Sequence, residues 1–249
     1  MTKRLSGFSL IEVAMVLCII GVLSGIGIPT LNSFLKQQKV RKTEDHLEQI
    51  LQSLTAYVLT NKRLPCPANP KACDEEAGVS EANCLFTETF IGLVPYRTLG
   101  IPEKVIKDGY HNLISYAVNP VLTNSEIKSL NASFESDLPS TIFCEVEKGH
   151  IDLTVTNSKK QSVFMTEDSK DLVALVLVSH GPSGQGSFDE KGERRKATNP
   201  DKITNSDDSV HFIDRQLSLA KENFFDDTVK WITRDNLMAI YGKTPCKRR

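Results

Sequence analysis

Hydrophobic and polar positions fall into three regimes along the chain. From Phe8 to Ile28 the sequence is apolar and carries one charge, Glu12, and from Val13 to Ile28 it carries none. A helix of about 20 apolar residues crosses the hydrocarbon core of a bilayer, so this run is long enough to span. Beyond Pro29 the pattern takes a helical period. In "EDHLEQILQSLTAYVL" the residues Leu47, Ile50, Leu51, Leu54, Tyr57 and Val58 make one stripe at three- and four-residue steps. The intervening "KQQKVRKTED" reads as a solvated stretch of the same helix, and "RLPCPANP" ends it through Pro65 and Pro67. Together these predict a nearly continuous helix from Phe8 to about Asn61, roughly 80 Å long. Pro29 should bend it, because an interior proline removes a backbone hydrogen bond.

The third regime is short and β-rich. "LISYAV" (113–118), "HIDLTV" (150–155), "SVFM" (162–165), "LVALVLV" (172–178) and "DTVKWIT" (227–233) are strand candidates separated by glycine, proline and asparagine. "LVALVLV" is apolar on both faces and reads as a central strand, while "TRDNLMAIYG" reads as a short closing helix. Residues 64 to about 109 read as a long connecting loop. No fixed-period repeat is present. The expected fold is α+β: a long N-terminal helix, membrane-spanning in its first half, packed on an antiparallel β-sheet head.

Composition changes this picture little. With 40% apolar and 24% charged residues and a net charge of -1, the 249-residue chain suits an ordinary globular body with no global attraction to nucleic acid or acidic lipid. Glu12 changes it more. A carboxylate at hydrocarbon depth is costly unless paired, so it is a functional-site candidate. A cleaved secretory signal with Lys3 and Arg4 as its basic end is the plainer alternative, but its apolar core would span only 7–15 residues. This run is longer and leads into more helix, which favours a retained anchor. Lys36, Lys39, Arg41 and Lys42 after the span leave orientation ambiguous by charge. Cysteine usage favours export: Cys66, Cys73, Cys84, Cys144 and Cys246 all lie in the body, which suits an oxidising compartment.

The opening run resembles the amino terminus of type IV prepilins and type II secretion pseudopilins. A short basic leader ends in Gly7, Phe8 follows, Glu12 is the fifth residue after that glycine, and "GIGIP" closes the run at Pro29. Further on, "DGYHNLISYAV" and "VLVSHGPSGQG" resemble the stretches that lead into and out of the pseudopilin sheet. The resemblance implies a single-pass inner-membrane precursor with a periplasmic head. A prepilin peptidase would cut after Gly7 and methylate the new amino group of Phe8. Subunits would then assemble with other pilins or pseudopilins on an inner-membrane platform, the Glu12 carboxylate pairing with the Phe8 amine of a neighbour. The implied division is residues 1–7 leader, 8–28 transmembrane and assembly segment, 29–61 amphipathic stalk and 62–249 periplasmic head.

Other chemistry in the head is weighed against simpler readings. His180, Ser183 and Asp189 loosely suggest a hydrolytic triad, but no Gly-x-Ser-x-Gly elbow occurs there, and a turn after a central strand explains them. The same glycines lack the lysine of a phosphate loop. Cys66, Cys73 and Cys84 are too widely spaced for the usual zinc pairs, so the five body cysteines read as disulfide candidates with open connectivity. Major pseudopilins bind calcium in a loop after the last strands. By that resemblance Asp189, Asp201, Asp207 and Asp208 are calcium candidates, although Lys191, Arg194, Arg195 and Lys196 oppose this and a solvated charged loop is the simpler reading. "KQQKVRK" and "CKRR" lack the aromatic interleaving of a nucleic-acid surface. The expectation is a non-enzymatic, cofactor-free pilin-like subunit. The alternative is a membrane-anchored periplasmic protein with a ligand-binding or enzymatic head.

Overall fold

A computed structural model describes residues 9–61, 63–82, 84, 89–123, 153–157 and 173–240, apart from the side chains of residues 23–30 and 238. The chain divides into two units, Met1–Arg41 and Lys42–Arg249. Helix α1 (Leu10–Asn61) contributes to both. α1 continues as one helix through Pro29, where the sequence leads one to expect a bend, and the strand expected at 162–165 falls outside what is described.

In the first unit the helical side chains Leu10, Ile11, Val13, Met15, Val16, Leu17, Ile19, Ile20 and Val22 are all exposed. Among the described residues, no helix is long and apolar enough to cross a membrane. Residues 23–30, which continue the apolar run in the sequence, lie outside the described side chains.

The second unit is built on a four-stranded antiparallel sheet in the order β1 (Ile91–Leu93), β2 (Ser115–Val118), β4 (Val173–Ser179), β6 (Thr228–Thr233). Strand β4 lies inside, pairing Val178 with Ser115 on one side and with Val229 on the other. Every residue of β4 is buried, which accounts for its unbroken apolar run from Val173 to Val178. One face carries Tyr116, Val118, Leu175 and Leu177 against Leu47, Ile50, Leu54 and Val58 of α1. The other carries Ala117, Val176 and Val178 against Val155 and Phe212. These last two belong to a parallel pair, β3 (Thr154–Thr156) and β5 (His211–Ile213).

Strict alternation breaks once. Ala174 and Leu175 both face the α1 side, while Val173 and Val176 face the other. The register of β4 against β6 shifts between Val173 and Leu175, so a β-bulge supplies the extra residue.

The stretch from 64 to 109, expected as a loop, holds the edge strand β1, a short helix α2 (Tyr96–Leu99) and a 3-10 turn at Glu103–Ile106. Three residues are too few to show a period, which is why β1 left no signal in the sequence. Gly92 at its centre is required sterically, because a Cβ there would lie 2.6 Å from the Ala68 carbonyl oxygen. The same stretch is clasped by a Cys66–Cys84 disulfide, with Cα atoms 5.7 Å apart. The described residues of the unit also include the short helices α3 (Pro200–Thr204) and α4 (Arg234–Ile240).

Candidate functional site

The two stretches singled out after the first helix, "DGYHN" and "SHGPSGQG", meet at the end of the sheet. Asp108 is fully buried. One of its oxygens accepts from the backbone N–H groups of Tyr110 (2.8 Å) and Asn112 (2.9 Å), and the other from the Ser179 hydroxyl (2.8 Å). Asn112 donates to the Gly181 carbonyl at 2.7 Å and accepts from Arg195 at 2.9 Å. Gly184 adopts a φ of +62°, and a Cβ there would meet the Asn112 amide oxygen at 2.5 Å. The loop is thereby latched to the sheet. Its opposite end clips onto α1, where Gly109 N–H donates to the Thr43 hydroxyl at 2.9 Å.

Beside this latch lies a buried ionic node. Asn199 caps α3 by accepting from Asp201 N–H at 2.9 Å, with Pro200 in the first turn, a favourable start for a short helix. That turn sends Lys202 inward, where it has no solvent exposure. Its ammonium donates to Asp226 (2.5 Å), to Asp227 and to the His180 carbonyl (3.3 Å), one acceptor for each proton. Asp226 also accepts from the backbone N–H (2.8 Å) and hydroxyl (3.1 Å) of Ser183, and Asp227 from Asn205 (3.0 Å). Two carboxylates share one ammonium, so the node has a negative charge in excess. Burial pushes the Asp227 carboxyl up to about 6, against the opposing pull of Lys202. His180 is held well below its usual value by burial first, then by Arg194 and Lys202. The reading of 189–208 as a solvated charged loop is therefore corrected at Lys202 and Asn205. Both are buried, because the Asp226–Asp227 pair supplies an internal counter-charge.

The calcium candidates do not converge. Asp189 accepts from Lys191 and Glu193 N–H (both 2.9 Å), and the Glu193 bond contributes most to holding its carboxyl below the usual range. Asp201 pairs with Arg215 (2.7 Å), Asp207 accepts from Ser209 N–H (3.0 Å), and Asp208 pairs with Arg194 (2.6 Å). Among the described residues no group of three or more His, Cys, Asp or Glu is placed to hold a metal ion. Nor does the loose triad come together. His180 bonds Ser115 through Nε2 (2.9 Å), while Ser183 is engaged by Asp226. Of the disulfide candidates, Cys66 and Cys84 are joined and Cys73 is a free, exposed thiol; Cys144 and Cys246 lie outside the described residues.

At the other end of the chain, Gly7 and Phe8 lie outside the described residues. Glu12 is described and exposed, in the first turn of α1. One of its carboxylate oxygens accepts the Ser9 backbone N–H at 3.1 Å.

The class defined by this geometry is an α+β protein in which an N-terminal helix packs its second half on an antiparallel sheet. Over 83 residues the chain is 28% identical to a fimbrial protein of Pseudomonas aeruginosa, and equally so to a second fimbrial protein of that organism. Each match covers 33% of this chain and 54% of the relative, so the chain spans about half the length of the curated relatives it matches. No family model matches. No solved structure matches. The similarity is to a pilin-like family and distinguishes no subtype within it.

Proposed function

We propose that the chain is a pilin-like structural subunit of a type IV pilus or type II secretion system. It is held in the bacterial inner membrane by its first helix, with the head in the periplasm. One observation carries this reading: the Gly7–Phe8 junction, Glu12 and Pro29 fall in one apolar run, in a chain with partial similarity to fimbrial proteins. The exposed apolar side chains from Leu10 to Val22 support it physically, because a contiguous apolar surface of that extent needs lipid or a neighbouring helix to cover it. In this reading a prepilin peptidase removes residues 1–7 and methylates Phe8, and subunits assemble helix to helix on an inner-membrane platform. The head positions the subunit and catalyses nothing.

Mass spectrometry of the amino terminus tests the reading. A methylated Phe8 terminus is expected, with the uncut precursor accumulating when Gly7 is replaced by a bulky residue. An intact Met1 terminus on mature protein would instead favour a tethered periplasmic protein.

A further inference from the structure

Helix α3 places the Lys202 ammonium where no solvent reaches it and where two carboxyl groups meet it. One ammonium neutralises one carboxylate, so the node holds more ions than charge balance requires, in a place where each is costly to bury. Asp226 and Asp227 stand just ahead of β6, both against the same nitrogen. Their other partners differ. Asp226 accepts the Ser183 N–H at 2.8 Å and hydroxyl at 3.1 Å, two donors that favour its carboxylate form. Asp227 is fully buried, turns Oδ2 to the Asn205 amide at 3.0 Å and leaves Oδ1 to Lys202. Burial pushes its carboxyl up to about 6, which eases protonation of a departing oxygen. A primary amine, a carboxyl with one oxygen anchored, and a second carboxylate able to carry protons thus share one dry site.

We propose that this node is a site of self-modification, in which Lys202 and Asp227 condense to an isopeptide bond with Asp226 as the base. Asp226 takes one proton from the ammonium and frees the nitrogen lone pair. The lone pair attacks Cγ of Asp227, and Asn205 donates to the oxygen that gathers negative charge. The bond from Cγ to Oδ1 then breaks, and its electron pair leaves with that oxygen. The proton held by Asp226 and a second from the nitrogen join the oxygen, which departs as water. The third proton stays on the amide nitrogen, and Asp226 ends as the carboxylate it was. No oxidant or cofactor enters. In the product the amide oxygen keeps the Asn205 donor, and the amide N–H keeps Asp226 or the His180 carbonyl as acceptor, so no polar group is orphaned. Exclusion of water protects the new bond from hydrolysis. It ties α3 to the start of β6 and closes a loop that contains β5. Like a disulfide, such a link restricts the unfolded chain. The ionic node is the reactant and persists in every chain that has not closed, so titration and unfolding of the unlinked chain still read the ion triad. None of this depends on the function proposed above.

The test follows full-length protein in detergent micelles over days at neutral pH, by intact mass and tryptic mapping. Closure makes the chain lighter by one water and stops trypsin at Lys202, giving residues 197–215 joined through Lys202 to residues 222–230. The linked fraction should rise with time in folded wild type. It should be absent in Lys202→Arg, which keeps the cation but has no amine to deprotonate. Asp226→Asn should link about a hundredfold more slowly. Wild type that keeps its full mass, with Lys202 cut throughout, would overturn the bond. Water loss without the branched peptide would overturn it too, since an aspartate that cyclises on its own backbone loses the same mass. So would equally fast linkage in urea-unfolded protein, because the fold would then contribute nothing. An unchanged rate in Asp226→Asn would remove Asp226 as the base, and a branch at Asp226 would reverse the roles of the two carboxyls.

Discussion

Lys202 illustrates how much a single buried charge can hold. Replacing it with methionine keeps the volume but leaves Asp226 and Asp227 buried without their cation. Breaking one side of such a node typically costs about 3–5 kcal/mol. Urea unfolding of Lys202→Met should show a loss of this size, and neutralising both carboxylates in the same background should recover much of it. The pH dependence follows from two opposing shifts. Asp227 has its folded value raised to about 6 from 3.8, so its contribution to stability is greatest at low pH and falls as pH rises through that window. His180 is depressed from 6.5, so stability falls as pH drops below 6.5 and the unfolded imidazole takes up its proton. In wild type the two slopes partly cancel between about pH 4 and 6.5. Asp227→Asn removes one of them, and its stability should fall more steeply on acidification than that of wild type. A parallel pair of profiles would contradict this assignment. None of the node was visible in the sequence, where Lys202 is one charge among many and its partners follow 24 and 25 positions later. Glu12 was visible, because an isolated carboxylate in an apolar run stands out against its surroundings.

At the scale of elements, legibility followed period and length. The stripe Leu47–Ile50–Leu54–Val58 and the seven-residue β4 were legible because each repeats one chemical choice often enough to show a face. The three-residue strands β1 and β5 were not, since their places are set by the partners they pair with rather than by their own residues. The disulfide was legible only as a set of candidates. Spacing did not distinguish Cys73 from Cys84, but the fold does, by bringing Cys84 beside Cys66 and leaving Cys73 at the surface. Replacing Cys66 and Cys84 together with serine should lower stability by about 2–4 kcal/mol. Alkylation of unreduced protein, followed by peptide mapping, should label Cys73 and leave Cys66 and Cys84 untouched.

For the whole molecule, the function proposed makes a prediction that the head alone does not. Glu12→Gln retains an oxygen acceptor for Ser9 but removes the negative charge that would attract a neighbour's Phe8 amine. Coexpressed with partner subunits, the variant should be inserted and processed, yet be absent from sheared filaments and cross-linked oligomers. Normal assembly by the variant would separate the carboxylate from filament formation.

The arrangement of the head core also has a temporal consequence. The side chains that close over Leu47, Ile50, Leu54 and Val58 include Leu175, Leu177, Ile232 and Leu237, far later in the chain. The parallel pair that covers the other face joins Val155 to Phe212. Contacts so distant in sequence are slow to form, because long loops must close before any burial compensates their entropy. A chain emerging from its amino terminus can set Tyr116 and Val118 against the α1 stripe early, but the covering side chains of β4, β6 and α4 come only with its last third. Until β6 and α4 arrive the cluster around the α1 stripe is incomplete, and incompletely covered apolar surface of this kind is what makes a partly folded chain prone to aggregate.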